Sequence, residues 1–242
     1  MFDIVIPVGP NEENIIYEQI KYTKQNIIGY RNIFIITPLK GIVLENCTII
    51  DERIFPFSLE TIAQIHGRNF RNGWYLQQLL KLYAGIIIPD ILEKYLVIDG
   101  DTFFLKPIKF IEEGKCLYNF GSEYHKPYFN HMVKLDNSLT RQIEEKSGIC
   151  HHMIFETKYI KEIFKKIEEQ HQDTFYNIFL KMVDPQHILY SGASEYEIYF
   201  NYMLLNYPNE IIIRELKWKN NNTLIINEDY DYISVHYLNR KY

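Results

Sequence analysis

From Val97 to Pro107 the chain reads VIDGDTFFLKP, which sets two carboxylates, Asp99 and Asp101, one glycine apart at the end of an apolar run, Tyr95 to Ile98. A short, continuous apolar run is the pattern of a buried strand. Another apolar stretch, Phe103 to Leu105, follows at once, so the two acids sit between buried segments and repel each other unless a cation or proton compensates. A hard divalent cation that also carries substrate phosphates suits two carboxylates at the carboxyl end of a strand, where open α/β sheets bind their ligands. The chemistry indicated is metal-assisted handling of a phosphorylated substrate. Asp-Gly-Asp is also ordinary turn chemistry, with a permissive glycine backbone and aspartates bonding nearby amides. Its place between two apolar runs favours the metal reading.

The surrounding pattern supplies elements to hold such a site. Phe2 to Val8 reads as a strand, Asn11 can cap a helix from about Glu12 to Ile28 that Gly29 ends, and Asn32 to Thr37 reads as a second strand. This β-α-β opening directs the loop Pro7, Val8, Gly9 and Pro10 toward a ligand, although neither a Gly-x-Gly-x-x-Gly fingerprint nor a Gly-Lys-Ser/Thr phosphate loop occurs. After a short strand at Thr48 to Ile50, a loop-rich region carries His66, Arg68 and Arg71. The helix that follows, Gly73 to Ile87, turns Leu76, Leu79, Leu80 and Tyr83 to a core. Gln77 and Lys81 lie four apart on another face, ordinarily a solvated one, but the helix leads directly into the Asp-Gly-Asp strand.

Further along, Cys116 to Phe120 reads as a strand, a polar loop runs to about Lys134, and a helix is expected near Ser138 to Glu145. His151 and His152 fall on a strand, where neighbours face opposite ways, and His152 is the one assigned to the cleft. Helices are expected at Lys158 to Glu169, Thr174 to Met182 and Ser194 to Asn206, and strands at Ile211 to Leu216, Leu224 to Ile226 and Tyr232 to Val235. No repeat, low-complexity tract or linker divides the sequence.

Composition fits a folded α/β chain. The 242 residues are 47% hydrophobic, enough for one large core, and one domain over residues 1–242 is the expectation. A net charge of -5 argues against a nucleic-acid or anionic-membrane surface, so any phosphate binding must be local. Cys47, Cys116 and Cys150 are widely spaced and fit free thiols in a reducing compartment. The FDIVIPV opening reads as a strand rather than as a secretory leader, and the apolar tract Ala84 to Ile98 is interrupted by Pro89, Asp90, Glu93 and Lys94, short of the roughly 18 residues of a membrane span. A cytoplasmic protein, or one peripheral to a membrane, is expected.

In order, IVIPVG, GWYLQQLLKLYA, YLVIDGDTFFLKP, GICHHMIF, SEYEIY and SVHYLNR resemble nucleotide-sugar glycosyltransferases of the GT-A fold, of the small bacterial and viral polysaccharide-type transferases distantly similar to glycosyltransferase family eight. The Asp-x-Asp region with its preceding helix carries the specificity of that resemblance. It implies a Rossmann-like domain with a mixed, mostly parallel sheet flanked by helices, a nucleotide-binding half over about 1–110 and an acceptor-side half over about 111–242. It implies a nucleotide-sugar donor, a UDP-sugar, and a glycan or other hydroxyl acceptor. Asp99, Asp101 and His236 would hold Mn2+ or Mg2+, the imidazole favouring Mn2+. Pro7, Val8, Gly9 and Gly100 would border the donor, and Arg68, Arg71, Gln77, Lys81 and His152 are candidates for diphosphate or sugar contacts. Glu195 would meet the acceptor hydroxyl, as general base in an inverting enzyme or as a positioning group in a retaining one, unless it only stabilises its helix N-terminus.

Two other classes compete. A haloacid-dehalogenase-type phosphohydrolase also uses Asp-x-Asp after a strand, but wants Thr or Val two residues beyond the second Asp, where this chain has Phe103. A sugar-nucleotide-binding domain without turnover would keep the same metal and donor residues.

Overall fold

The computed structural model describes residues 1–224 and 229–235. β1 (Phe2–Pro7) is buried at every position, as a continuous apolar run covered on both faces must be. The chain then makes a 3-10 turn at Pro10–Glu12 before α1 (Ile16–Asn26), so the helix starts later than Asn11 suggested. Glu12 is occupied otherwise, its carboxylate accepting the Gly9 N–H at 2.8 Å, and Ile27–Ile28 leave the helix as the short strand β2. β3 (Tyr30–Thr37) and β4 (Thr48–Asp51) follow. Where a loop was expected, Ser58 caps α2 (Leu59–His66).

α3 (Asn72–Ile87) runs into β5 (Lys94–Ile98), and a tight turn leads to β6 (Thr102–Phe104), then to β7 (Ile108–Lys109), β8 (Ile111–Glu112) and β9 (Lys115–Tyr118). The expected polar loop up to Lys134 contains α4 (Lys126–Leu135), which begins with a proline in its first turn and buries Tyr128, Phe129, Met132 and Leu135. The helix expected near Ser138 to Glu145 does not form. Asp136 takes the Ser138 N–H with its carboxylate, and Asn201 takes the Gln142 N–H, side-chain bonds that compete with helical ones. The remaining elements are β10 (His152–Glu156), α5 (Thr157–His171), α6 (Phe175–Lys181), α7 (Glu195–Asn206), β11 (Ile211–Ile213), β12 (Trp218–Asn220) and β13 (Tyr232–Ser234). Residues 225 and 226 of the strand expected at Leu224 to Ile226 lie outside the described residues.

Five strands form the central sheet in the order β10-β5-β1-β3-β4, all parallel except β10, which is antiparallel to β5. α3 packs over β1 and β5 and against α2, α5 and α7. Asp3 ties three strand connections together: its buried carboxylate pairs with Arg31 at 2.7 Å and accepts the Asn32 and Leu92 N–H groups. β13 pairs with both β12 and β6, bringing the far end of the chain to the turn that follows β5. Among the described residues, no helix is long and apolar enough to cross a membrane.

Candidate active site

The carboxyl ends of β1 and β5 open into a cleft of about 470 Å3. Pro7, Val8 and Gly9 border it from β1, and Asp99, Gly100 and Asp101 from the turn after β5. That turn is closed by the Thr102 N–H donating to the Asp99 carbonyl at 3.0 Å. The two strand ends approach closely at Gly100: a Cβ there would lie 3.1 Å from Glu12 Cγ, a tight contact with a side chain, and 3.4 Å from the Pro7 carbonyl oxygen. Asp101, largely buried, accepts the Ser234 hydroxyl on Oδ1 at 3.1 Å, and its carbonyl accepts the Val235 N–H at 2.8 Å.

Lys81 projects from α3 to the centre of the site with its side chain only 3% exposed. Its ammonium lies 2.5 Å from Asp99 Oδ1 and 2.6 Å from Glu195 Oε1. Burial alone would lower the lysine pKa, but the two carboxylates raise it, so the ammonium stays charged. Burial pushes Asp99 upward in turn, and Lys81 and His151 overcome this and hold it well below the ordinary carboxylate range. Asp99 Oδ1 also accepts the Tyr196 hydroxyl at 3.0 Å, and Oδ2 faces His151 Nδ1 at 3.1 Å. Glu195, at the start of α7, is raised chiefly by burial, and its own N–H donates to Gln78 Oε1 at 3.1 Å.

Of the paired histidines the structure selects His151, opposite to the sequence expectation. His151 has φ +64°, lines the cleft and joins Asp99 through both its ring and its carbonyl. β10 begins only at the next residue, so strand alternation does not govern His151. His152 is 2% exposed among the rings of Phe104, Phe110 and Tyr232, away from the cleft, and burial lowers its pKa to about 3. Ser191, also on the cleft wall, has φ +63°. Left-handed backbone at non-glycine residues is uncommon and gathers at sites where geometry is over-determined.

The other expected residues divide. Arg71, Gln77, Lys81 and Glu195 line the cleft with the β1 loop, whereas Arg68 is exposed, pairs with Glu60 at 3.2 Å and is not among the lining residues. His236 lies outside the described residues. Tyr196, Gln78, Trp74 and Tyr128 were not anticipated. Tyr196 directly follows Glu195, and that adjacency was the one available signal for it. Among the described residues, no three or more His, Cys, Asp or Glu side chains cluster as a metal cage. Two carboxylates on the cleft, one of them held ionised, nevertheless fit a hard divalent ion of the kind that completes its shell with substrate phosphates and water.

The model of a family described as a family of unknown function, DUF6492, matches residues 21–233. No curated protein matches by sequence. Among solved structures, the galactosyltransferase LgtC in complex with donor and acceptor sugar analogs is 11% identical, with a TM-score of 0.52 over 96% of this chain and 86% of that one. An active-site mutant of LgtC matches with a TM-score of 0.48 at 11% identity, over the same shares of the two chains. The central, mostly parallel sheet with flanking helices is thus the GT-A fold of the first structure.

Proposed function

This chain belongs to the DUF6492 family, and we propose that it is a metal-dependent glycosyltransferase, moving a sugar from a nucleotide-sugar donor to a hydroxyl acceptor. One observation carries the proposal: in a GT-A fold, Asp99 and Asp101 leave the carboxyl end of β5 on the same cleft as the β1 loop and the buried Lys81–Glu195 pair. A UDP-sugar is the first donor to try. Pro7, Val8 and Gly9 border the nucleotide, as the end of the first strand does in Rossmann-like sheets.

Asp99 and Asp101 would hold Mn2+ or Mg2+, with His236 proposed as a third ligand; β13 supports that choice because Val235 is hydrogen-bonded to Asp101. When bound, the ion would stabilise charge on the departing nucleoside diphosphate. His151 and Tyr196 fix the Asp99 carboxylate through hydrogen bonds to its two oxygens. Lys81 supplies positive charge on the cleft wall and holds Glu195 in place. Glu195, kept on the cleft by Lys81 and by Gln78, orients the acceptor hydroxyl and takes its proton if the reaction inverts configuration. The domain is read as one unit, with the donor on the side of residues 1–110 and the acceptor on the side of residues 111–242.

A thermal-shift screen tests donor binding. Mn2+ with the correct sugar nucleotide at a hundredfold excess over Kd should raise the Tm by about 5 °C, following the stabilisation expected of a ligand bound only to the folded chain. Asp101→Ala should lose that shift. A screen in which no sugar nucleotide moves the Tm in the presence of Mn2+ would count against the proposal.

A further inference from the structure

Arg71 differs from three other arginines of the chain and shares with Arg214 a buried guanidinium nitrogen that has no partner among the described residues, but of these two it is Arg71 that lines the cleft. Arg31, Arg53 and Arg68 each pair with a carboxylate, whereas the guanidinium of Arg71 makes no ion pair or hydrogen bond with any described residue. Its Nε is buried without a partner, on the wall of a cleft that also presents Glu12, Glu52, Asp99, Asp101, Glu123 and Glu195. An unpaired, partly desolvated guanidinium loses hydrogen bonds that water would have supplied, so an anion placed against it gains more than the same anion elsewhere in the cleft.

The position of Arg71 separates it from the diphosphate. It caps α3, ten residues before Lys81, and at the helical rise of 1.5 Å per residue their Cα atoms stand about 15 Å apart along the axis. The Arg71 guanidinium stays at the first turn, 5.6 Å from the Trp74 ring and 5.8 Å from the Phe70 ring. A diphosphate held at Asp99 and Asp101 therefore belongs to the Lys81 end, and Arg71 faces whatever lies beyond it.

Beyond it is a wall suited to a sugar ring. Trp74, half-buried, lines the cleft with Glu123 and Ser191, and the buried Tyr128 stacks on it with centroids 6.3 Å apart and planes 25° from parallel. Aromatic faces cover the C–H face of a pyranose while carboxylate and hydroxyl groups bond its edge. Resting on the glycosyltransferase reading above, we infer that the acceptor is an acidic saccharide whose ring packs against Trp74, which Tyr128 backs, and whose carboxylate or phosphate is bound by Arg71. The planar fork of arginine matches either anion, and its two aromatic neighbours hold the plane in place.

The test is ligand-observed NMR titration of the full chain with methyl glucuronide, glucose 6-phosphate and methyl glucoside, alone and with Mn2+ and UDP. At least one acidic sugar should bind fivefold or more tighter than the glucoside, and the responding arm identifies carboxylate or phosphate. Arg71→Gln should bring that ratio within twofold, with Arg71→Lys intermediate; the lysine variant serves alone if the glutamine variant fails to fold. Equal binding of all three sugars, or a preference that survives Arg71→Gln, would overturn the inference. If that happens while sugar nucleotides still shift the Tm with Mn2+, only the acceptor assignment falls. If the acidic preference holds and no sugar nucleotide shifts the Tm, it is the transferase reading that fails.

Discussion

Lys81 is the side chain on which the site is balanced. A buried ammonium between two carboxylates, with a tyrosine hydroxyl and an imidazole on the same Asp99, forms a network in which each member satisfies another. Removing one partner of such a cluster leaves charge buried without compensation. Lys81→Met should therefore lower the unfolding free energy by about 3 kcal/mol in urea titrations, with Asp99 and Glu195 left facing each other. A loss under about 1 kcal/mol would contradict the picture of Lys81 as their shared counter-ion. Much of this cluster was legible in the sequence, because Asp99, Asp101, Lys81 and Glu195 each follow or precede a recognisable apolar pattern. The part that was not legible depends on backbone conformation. Nothing in GICHHMIFE announces that His151 turns left-handed and swings to Asp99 while His152 enters an aromatic cage.

Among the elements, the helices with sustained apolar spacing are legible in the sequence, and so is the short α6, whereas α4 is not. α3, α5 and α7 carry sustained apolar spacing, and the structure places them within one or two residues of expectation. α4 escaped notice because His125, Lys126, Asn130 and His131 interrupt its apolar residues, although Tyr128, Phe129, Met132 and Leu135 follow helical spacing. His131 is polar in sequence and a core residue in fact: its Nε2 is 2.8 Å from the Phe179 carbonyl oxygen of α6, and its Nδ1 is buried without a partner. Burial lowers its pKa to about 4. The folded chain thus keeps His131 neutral while the unfolded chain takes up a proton near pH 6.5, so its contribution is present above that pH and is lost as pH falls toward 4. By pH 5 the loss amounts to about 2 kcal/mol. Denaturation at pH 7.5 and pH 5 should show a stability loss smaller by about that amount in His131→Gln than in the native chain, and equal losses in the two would refute the assignment.

Taken whole, the molecule concentrates its charge chemistry at one edge of a buried sheet. Asp3 fastens the amino end of β1 to Arg31 and to the segment before β5, while the carboxyl ends of β1 and β5 approach closely at Gly100, where a Cβ would press on Glu12. The proposed donor chemistry then falls at the Lys81 end of α3, and Trp74 stands near its Arg71 end. The α/β class and the β-α-β opening were readable from alternation of patterns. The joining of β13 to β6, which brings residues 130 positions later in the chain to the Asp-Gly-Asp turn, was not, because pairing between distant strands leaves little trace in either strand alone. The most direct measurement of the central claim is release of nucleoside diphosphate from a panel of sugar nucleotides by the purified chain, with Mn2+ and candidate acceptors, beside Asp99→Asn and Asp101→Ala variants shown to be folded. The account predicts release from at least one donor that requires the metal and disappears in both variants. Release that continues unchanged in Asp101→Ala, or no release from any donor, would contradict it.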